Sequence, residues 1–193
     1  MRDGERSRQR LLDAATAEFA AYGIAGARVD RIAAAAQVNK AQMYGWFGSK
    51  DGLFDAVFAQ HLHDIVDAVP FTPGDLPGYA VGLYDSYLTD PGLVRLASWY
   101  RLERVPIGEL LAAHPGPADD KHRAIAQAQA DGQVVGGVAP HEVFALVIAL
   151  AGTWSPISAT FTASAGDGEA EHDRRREVLR GVVRRALVPP PQG

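Results

Sequence analysis

Apolar residues recur along this chain at intervals of three and four, and no other feature of the sequence constrains the fold as strongly. The first segment of this kind covers residues 6–22 and ends before Gly23, and a longer one runs from Ser49 until Pro70 ends it. Such spacing puts apolar side chains on one face of an α-helix, whereas a half-buried strand would alternate strictly. Residues 132–138 alone have strand character, and their three glycines favour a turn. The sequence therefore predicts an all-α fold.

Two short segments near the N-terminus show this spacing and are separated by only three residues. The first covers residues 29–36 and is rich in alanine, and the second covers residues 40–47. Asn39 directly precedes the second segment and is a residue type favoured at helix N-termini, because its side chain can accept a bond from the backbone. Two short helices joined in this way describe a helix-turn-helix. Ser49 is expected to cap the long helix that follows, which would connect this region rigidly to the rest of the chain.

The remainder of the chain is also predicted to be helical, with breaks at proline and glycine. The expected helices cover residues 76–88, 91–105, 119–130, 143–163 and 171–187. We expect Pro156 to kink the fourth of these, which is apolar on nearly all sides. The last helix carries an apolar stripe two residues wide between Val178 and Leu187, too wide for one neighbouring helix to cover. This stripe favours a homodimer formed by the last two long helices.

Charge and composition narrow the classes of function. Residues 1–50 carry a net charge of +3 and the rest of the chain −7, so a basic N-terminal region suited to a polyanion precedes an acidic body. There is no cysteine, and the longest apolar run has nine residues against the roughly 20 that span a bilayer. The charged N-terminus has no secretory leader, so we expect a cytoplasmic protein without a membrane segment. His61 and His63 would face different sides of a helix, and we expect neither a metal nor a cofactor.

Five short segments within the basic region match a known pattern in order and spacing over about 45 residues. They are RLLDAA at 10–15, FAAYG at 19–23, DRIA at 30–33, VNK at 38–40 and YGWFGSK at 44–50. In these segments the chain resembles the DNA-binding domain of TetR-type transcriptional regulators. The resemblance implies a helix-turn-helix DNA-binding domain at residues 1–50 and a helical-bundle domain for ligand binding and dimerisation at residues 51–193. It further implies a homodimer that binds an operator in double-stranded DNA, generally as a repressor, and that responds to a small molecule.

The first turn of the second short helix holds the residues expected to read base edges, because such a helix enters the major groove with its N-terminal end. These residues are Asn39, Lys40, Ala41 and Gln42. Gln42 can pair with adenine, Lys40 can reach guanine or a phosphate, and Ala41 can meet a thymine methyl group. Each of them could instead be a solvated surface side chain.

The resemblance adds contacts to the DNA backbone. It assigns Tyr44, Trp46 and Lys50 to phosphate groups, and their O–H and N–H donors suit that role. The chain departs from the family pattern at Arg28, where Ser or Thr usually caps the first short helix, and at Gln37, where Gly is usual. Arg28 cannot cap that helix but can offer a charged phosphate contact, and Gln37 would carry a modest strain if its backbone is left-handed.

Aromatic residues of the predicted body helices suggest a small-molecule pocket. The candidate lining residues are Tyr84, Tyr87, Trp99, Tyr100 and Phe144, with Glu103 as a charge for the ligand. Aromatic residues at helical spacing are also common in an ordinary core. If Glu103 is buried in the pocket, it favours a cationic or hydrogen-donating group on a flat, largely apolar ligand.

Two other classes of function remain open from the sequence. A small helical enzyme is one, although the chain has no Gly-x-Ser-x-Gly elbow, no glycine-rich phosphate loop after a strand and no histidine pair at metal spacing. A helical protein-interaction module without DNA binding is the other. DNA binding that falls steeply with salt would separate both from a regulator.

Overall fold

The computed structural model describes residues 2–110 and 117–190, and within them the chain is helical without a strand. Nine α-helices lie in this part of the chain: α1 Arg2–Gly26, α2 Val29–Ala36, α3 Lys40–Phe47, α4 Lys50–Val66, α5 Leu76–Thr89, α6 Pro91–Glu103, α7 Pro117–Ala130, α8 Pro140–Ala151 and α9 Glu169–Leu187. Short 3₁₀ turns, Pro73–Asp75 and Gly152–Trp154, precede α5 and follow α8. The predicted all-α fold is confirmed. Among the described residues, no helix is long and apolar enough to cross a membrane.

The chain forms two compact units that are not contiguous in sequence. The head unit comprises residues 1–65 and 92–110, and the body unit comprises residues 66–91 and 111–193. Helix α6 therefore belongs to the head unit, although α5 before it belongs to the body unit. The predicted division of function at residue 50 stays a prediction.

The core of the head unit is formed by α1, α2, α3, α4 and α6. Its buried side chains include Leu11, Phe19, Ile32, Met43, Leu53, Phe54, Phe58 and Leu96. The ring of Phe19 meets Phe54 edge-on at 5.1 Å between centroids. Tyr100 of α6 stacks on Phe58 with centroids 3.6 Å apart and planes 8° apart. These contacts explain why α6 folds with the N-terminal helices.

Helix α1 breaks at Gly23, where the sequence predicts a helix stop. Gly23 has φ 67° and ψ −176°, a conformation that essentially only glycine adopts. Polar groups of α6 satisfy the backbone groups around the break: Arg95 donates to the Ala20 and Ala21 carbonyls at 2.6 and 2.9 Å, and Glu103 accepts from the Ile24 N–H at 3.0 Å. Together these bonds attach α6 to the C-terminal end of α1.

The core of the body unit is built around α5, which packs against both α8 and α9. Its buried members include Leu76, Tyr79, Tyr84, Val143, Val147, Leu179, Val183 and Leu187. Tyr84 of α5 and His172 of α9 form a buried hydrogen bond of 2.7 Å between the phenol oxygen and Nδ1. Residues 132–138 form turns rather than a strand, as the glycines predict.

The predicted helix over residues 143–163 is wrong in its second half. Helix α8 ends at Ala151, and the chain leaves helical geometry at Ser155, which has φ −74° and ψ 171°. The reason is Pro156, which has no N–H to continue the helix and clashes with a helical conformation of the residue before it. Proline therefore ends the helix here instead of kinking it.

Candidate nucleic-acid interface

Helix α3 is held to the head unit by few residues and exposes most of its surface. Asn39 Oδ1 accepts from the Gln42 N–H at 2.8 Å, which caps the helix as predicted. Met43 is the buried residue of α3, and Phe47 is half-buried beneath the Arg8 guanidinium, 4.9 Å from the ring centroid. A short, well-capped helix of this kind can enter the major groove without losing its core contacts.

The exposed side chains of α3 include those predicted to read base edges. Asn39, Lys40, Ala41, Gln42 and Tyr44 are all exposed, and Trp46 is half-buried. Gln42 has an additional role, since its Oε1 accepts a long, 3.4 Å bond from the Asn39 N–H and completes a capping box. The two amide protons of Gln42 are donors that this bond does not use.

Lys40 forms an ion pair with Asp30 across the turn of the motif. Both side chains are more than half exposed, and Lys40 holds the pKa of Asp30 below its usual value, mainly through a hydrogen bond and also by charge attraction. A phosphate or a guanine that binds Lys40 must therefore compete with this carboxylate. The sequence does not reveal this pairing, because the two residues are ten positions apart.

The start of α2 departs from the usual pattern as the sequence predicts. Arg28 makes no side-chain cap, and its backbone N–H instead donates to Glu18 Oε1 at 2.8 Å. Burial alone would raise the pKa of Glu18, but bonds from Arg31 and from the Arg28 N–H outweigh it, so the pKa lies below its usual value. Gln37 has a left-handed backbone, with φ 55° and ψ 44°. The modest backbone strain predicted for a residue other than glycine is therefore present at this position. The Arg28 side chain, which directly precedes α2, is exposed to solvent.

Lys50 lies at the start of α4 and already has protein partners. Its ammonium group lies 3.2 Å from the Ala27 carbonyl and 3.5 Å from the Ala25 carbonyl. Two of its three donors are thereby directed at the end of α1, and one remains for a phosphate oxygen. Ser49 caps α4 as predicted, with Oγ accepting from the Gly52 N–H at 2.9 Å.

The sequence assigns no contact to the basic residues Arg8 and Arg10 of α1, although Arg10 begins the RLLDAA segment. Arg8 covers the Phe47 ring, and Arg10 donates to the Ala36 carbonyl at 3.1 Å, so both connect α1 to the helix-turn-helix. Both are exposed. These contacts cannot be predicted from helical spacing, because Phe47 and Ala36 are distant from Arg8 and Arg10 along the chain.

The residues predicted to line a ligand pocket are divided between the two units. Trp99, Tyr100 and Glu103 lie in the head unit, where Trp99 and Glu103 adjoin the Gly23 break and Tyr100 stacks on Phe58. Tyr84 and Tyr87 line a cavity of about 270 Å³ in the body unit. Phe144 is also in the body unit but has other neighbours, with its ring 5.8 Å from His122 and 6.0 Å from Phe71. The structure thus brings two of the six residues together at one cavity, and their ligand contacts stay predictions.

Both the helix-turn-helix region and the body of the chain match known protein families. Residues 11–57, which contain the helix-turn-helix, match the model of the bacterial regulatory proteins of the tetR family, and residues 75–185 match the tetracyclin repressor-like C-terminal domain. The chain belongs to the TetR family. A curated relative, the HTH-type transcriptional repressor SCO4008 of Streptomyces coelicolor, is 34% identical over 191 residues, which is 96% of this chain and 97% of the relative.

Solved structures of transcriptional regulators share the fold over 95% of this chain. The putative transcriptional regulator SCO4942 of Streptomyces coelicolor has a TM-score of 0.75 and 33% identity, covering 95% of this chain and 99% of its own. A TetR-family transcriptional regulator from Pseudomonas syringae has a TM-score of 0.66 and 25% identity, covering 95% of this chain and 97% of its own. The chain is thus a DNA-binding transcriptional regulator of this family and not an enzyme.

Proposed function

We propose that this TetR-family regulator is a cytoplasmic repressor that binds a palindromic operator as a homodimer and releases it when a small molecule binds the body unit. The exposed, capped helix α3 carries this proposal, because it presents Lys40, Gln42 and Tyr44 outside the core. Phosphate groups of the DNA would be held by residues at the two ends of the helix-turn-helix, namely Arg28, Trp46 and Lys50.

A homodimer is supported by apolar side chains that the body unit leaves exposed. They are Leu146 on α8, Val178 on α9, and Ile157 and Phe161 in the segment between these helices. The guanidinium of Arg175, one turn before Val178, lies 5.3 Å from the centre of the Phe161 ring, so Phe161 lies against α9. Two copies that cover these residues would form a four-helix interface, and a two-fold protein implies a palindromic site.

The path of the chain supports the proposed coupling between ligand and DNA. Helix α5 lines the body cavity, and after Asp90 the chain begins α6, which is bonded to α1 through Arg95 and Glu103. In this proposal, a ligand that favours one conformation of the α5 end would act on the DNA-binding helices through α6. Binding of DNA and ligand would be coupled to the extent that each prefers a different position.

The proposed function is tested by DNA capture. Genomic fragments from the source organism are incubated with the intact protein, and the retained fragments are sequenced. We expect a shared inverted repeat whose half-sites are about one helical turn apart, bound with an affinity that falls steeply with salt. Retention without a shared sequence would contradict a specific operator, and a single half-site would contradict a two-fold complex.

A further inference from the structure

A cavity of about 270 Å³ in the body unit has walls from two parts of the chain. The end of α5 contributes Tyr84, Tyr87, Leu88 and Pro91, and the segment after α8 contributes Trp154, Ser155, Pro156, Thr162, Ala163, Ser164 and Ala165. None of these described lining residues carries a charge. A charged ligand would lose its hydration here without gaining an ion pair from the wall, so the cavity favours an uncharged one.

The hydroxyl group of Ser155 is the unusual feature of this wall. Ser155 is 3% exposed, and its Oγ has no hydrogen-bond partner among the described residues. Buried hydroxyls nearly always have a partner, and leaving one without it is unfavourable. The backbone of Ser155 is well fixed, because its N–H donates to Gly152 at 3.0 Å and its carbonyl accepts from the Ser158 N–H at 2.9 Å. Among the described residues, the Ser155 hydroxyl in this wall therefore lacks a partner that a ligand in the cavity can supply.

The aromatic walls are also fixed, which indicates the shape of the ligand. The Tyr84 phenol is held by His172, and the Tyr84 ring meets Trp154 edge-on with centroids 5.9 Å apart. Burial raises the pKa of Tyr87 to about 12, so this phenol stays uncharged at neutral pH. Rigid, neutral aromatic walls favour a flat ring, and the cavity volume lies just below the range of about 300–1,000 Å³ typical of drug-sized ligands.

We propose that this cavity binds an uncharged aromatic molecule of one or two rings that carries a single hydroxyl or carbonyl group, and that this group bonds to Ser155. The assignment of this molecule as the effector rests on the proposed function. Binding itself does not, because it concerns only the body cavity. Glu103, which the sequence suggests as the ligand's polar partner, lies in the head unit and accepts from the Ile24 N–H instead.

Three matched probes test the chemistry by calorimetry on the intact protein: 2-naphthol, naphthalene and 2-naphthoate. We expect 2-naphthol to bind at least tenfold more tightly than 2-naphthoate, because no described lining residue carries a positive charge for the carboxylate. Ser155→Ala should weaken 2-naphthol binding about three- to tenfold and leave naphthalene binding unchanged. Ser158→Ala is the control, since Ser158 lies three residues on and is not part of the wall. Tighter binding of 2-naphthoate, or equal 2-naphthol binding by Ser155→Ala and the intact protein, would overturn the proposal.

A second variant covers the case in which Ser155→Ala fails to fold. Ala165 lines the cavity but is exposed, so Ala165→Trp should fill the space without disturbing the core and abolish 2-naphthol binding. Undiminished binding by this variant would place the ligand elsewhere.

Operator binding without any probe is measured in parallel. If the operator is bound but 2-naphthol is not, the cavity proposal alone fails; if 2-naphthol binds but no operator does, the proposed function fails alone.

Discussion

At the scale of single residues, Gln42 combines a structural and a recognition role, and these can be separated. Gln42→Glu keeps the side-chain acceptor of the capping box but replaces the amide donors with a negative charge. We expect an unchanged midpoint of thermal unfolding and a loss of operator affinity that is largest for the native sequence, with roughly 1–3 kcal/mol of discrimination lost at one position per half-site. Fluorescence anisotropy with operator and random duplexes measures both losses. Equal losses on the two duplexes would contradict a role in base reading.

Lys50 provides the contrasting residue, since a phosphate contact carries no sequence information. Lys50→Ala should weaken binding to all duplexes alike and lower the slope of log affinity against log salt by about one. The loss of bonds to the Ala25 and Ala27 carbonyls should also lower stability slightly. An unchanged salt slope would show that Lys50 serves only these carbonyls.

Asp167 gives a pH dependence whose sign follows from its bonds. Its carboxylate accepts from Arg175 at 2.7 Å and from the Ser164 N–H at 3.2 Å, and these bonds hold the pKa of Asp167 below its usual value. The stabilisation is complete above the unfolded pKa of about 4 and disappears as the pH falls through the lower folded value. Urea unfolding should therefore show the intact protein more stable than Asp167→Asn at pH 7, with the difference shrinking below about pH 4. A difference that persists undiminished at pH 2 would contradict the ion-pair explanation.

At the scale of helices, the Gly23 break and α6 form one joint. A Cβ at Gly23 would lie 2.9 Å from Glu103 Oε1 and from the Trp99 ring, while a Cβ at Gly132, which has a similar φ of 70°, would meet nothing within 4 Å. Gly132→Ala should cost about 1–2 kcal/mol for backbone strain alone. Gly23→Ala should cost more in the free energy of unfolding, because α6 must also move. Equal costs in chemical denaturation would show that α6 is not held at this position.

At the scale of the whole molecule, the two faces of α9 should respond in opposite ways. Leu179, Val183 and Leu187 are buried in the body core, whereas Val178 on α9 and Leu146 on α8 are nearly half exposed. Val178→Asp combined with Leu146→Asp should give a folded monomer by light scattering and circular dichroism. Leu179→Asp should instead unfold the protein, since it buries an unpaired charge. A double variant that keeps the mass of the intact protein would place the dimer interface elsewhere.

The sequence by itself determined the short helices α2 and α3, because their limits depend on neighbours within a few residues. Asn39 and Ser49 cap α3 and α4 through bonds spanning three residues, and the predicted limits of α2 and α3 agree with the structure. Pro156 also acts locally, but the sequence predicts a kink at this position, whereas α8 ends before it, at Ala151. The residues expected to face DNA could be placed in the same way, since each lies on or beside one short motif.

Tertiary structure alone decided the partners of residues far apart in the chain. Glu103 looks like a ligand-binding carboxylate in the sequence, yet it caps the Ile24 N–H from 79 residues away. The six predicted pocket residues were divided because α6 joins the head unit while α5 stays in the body unit, and no local pattern records that choice. Ser155 shows the same limit, since neither its place in the cavity wall nor the lack of a partner for its Oγ among the described residues can be predicted from nearby residues. Helix limits follow from short-range bonds, whereas pairing follows from which apolar faces pack together, and that is settled only when the whole chain folds.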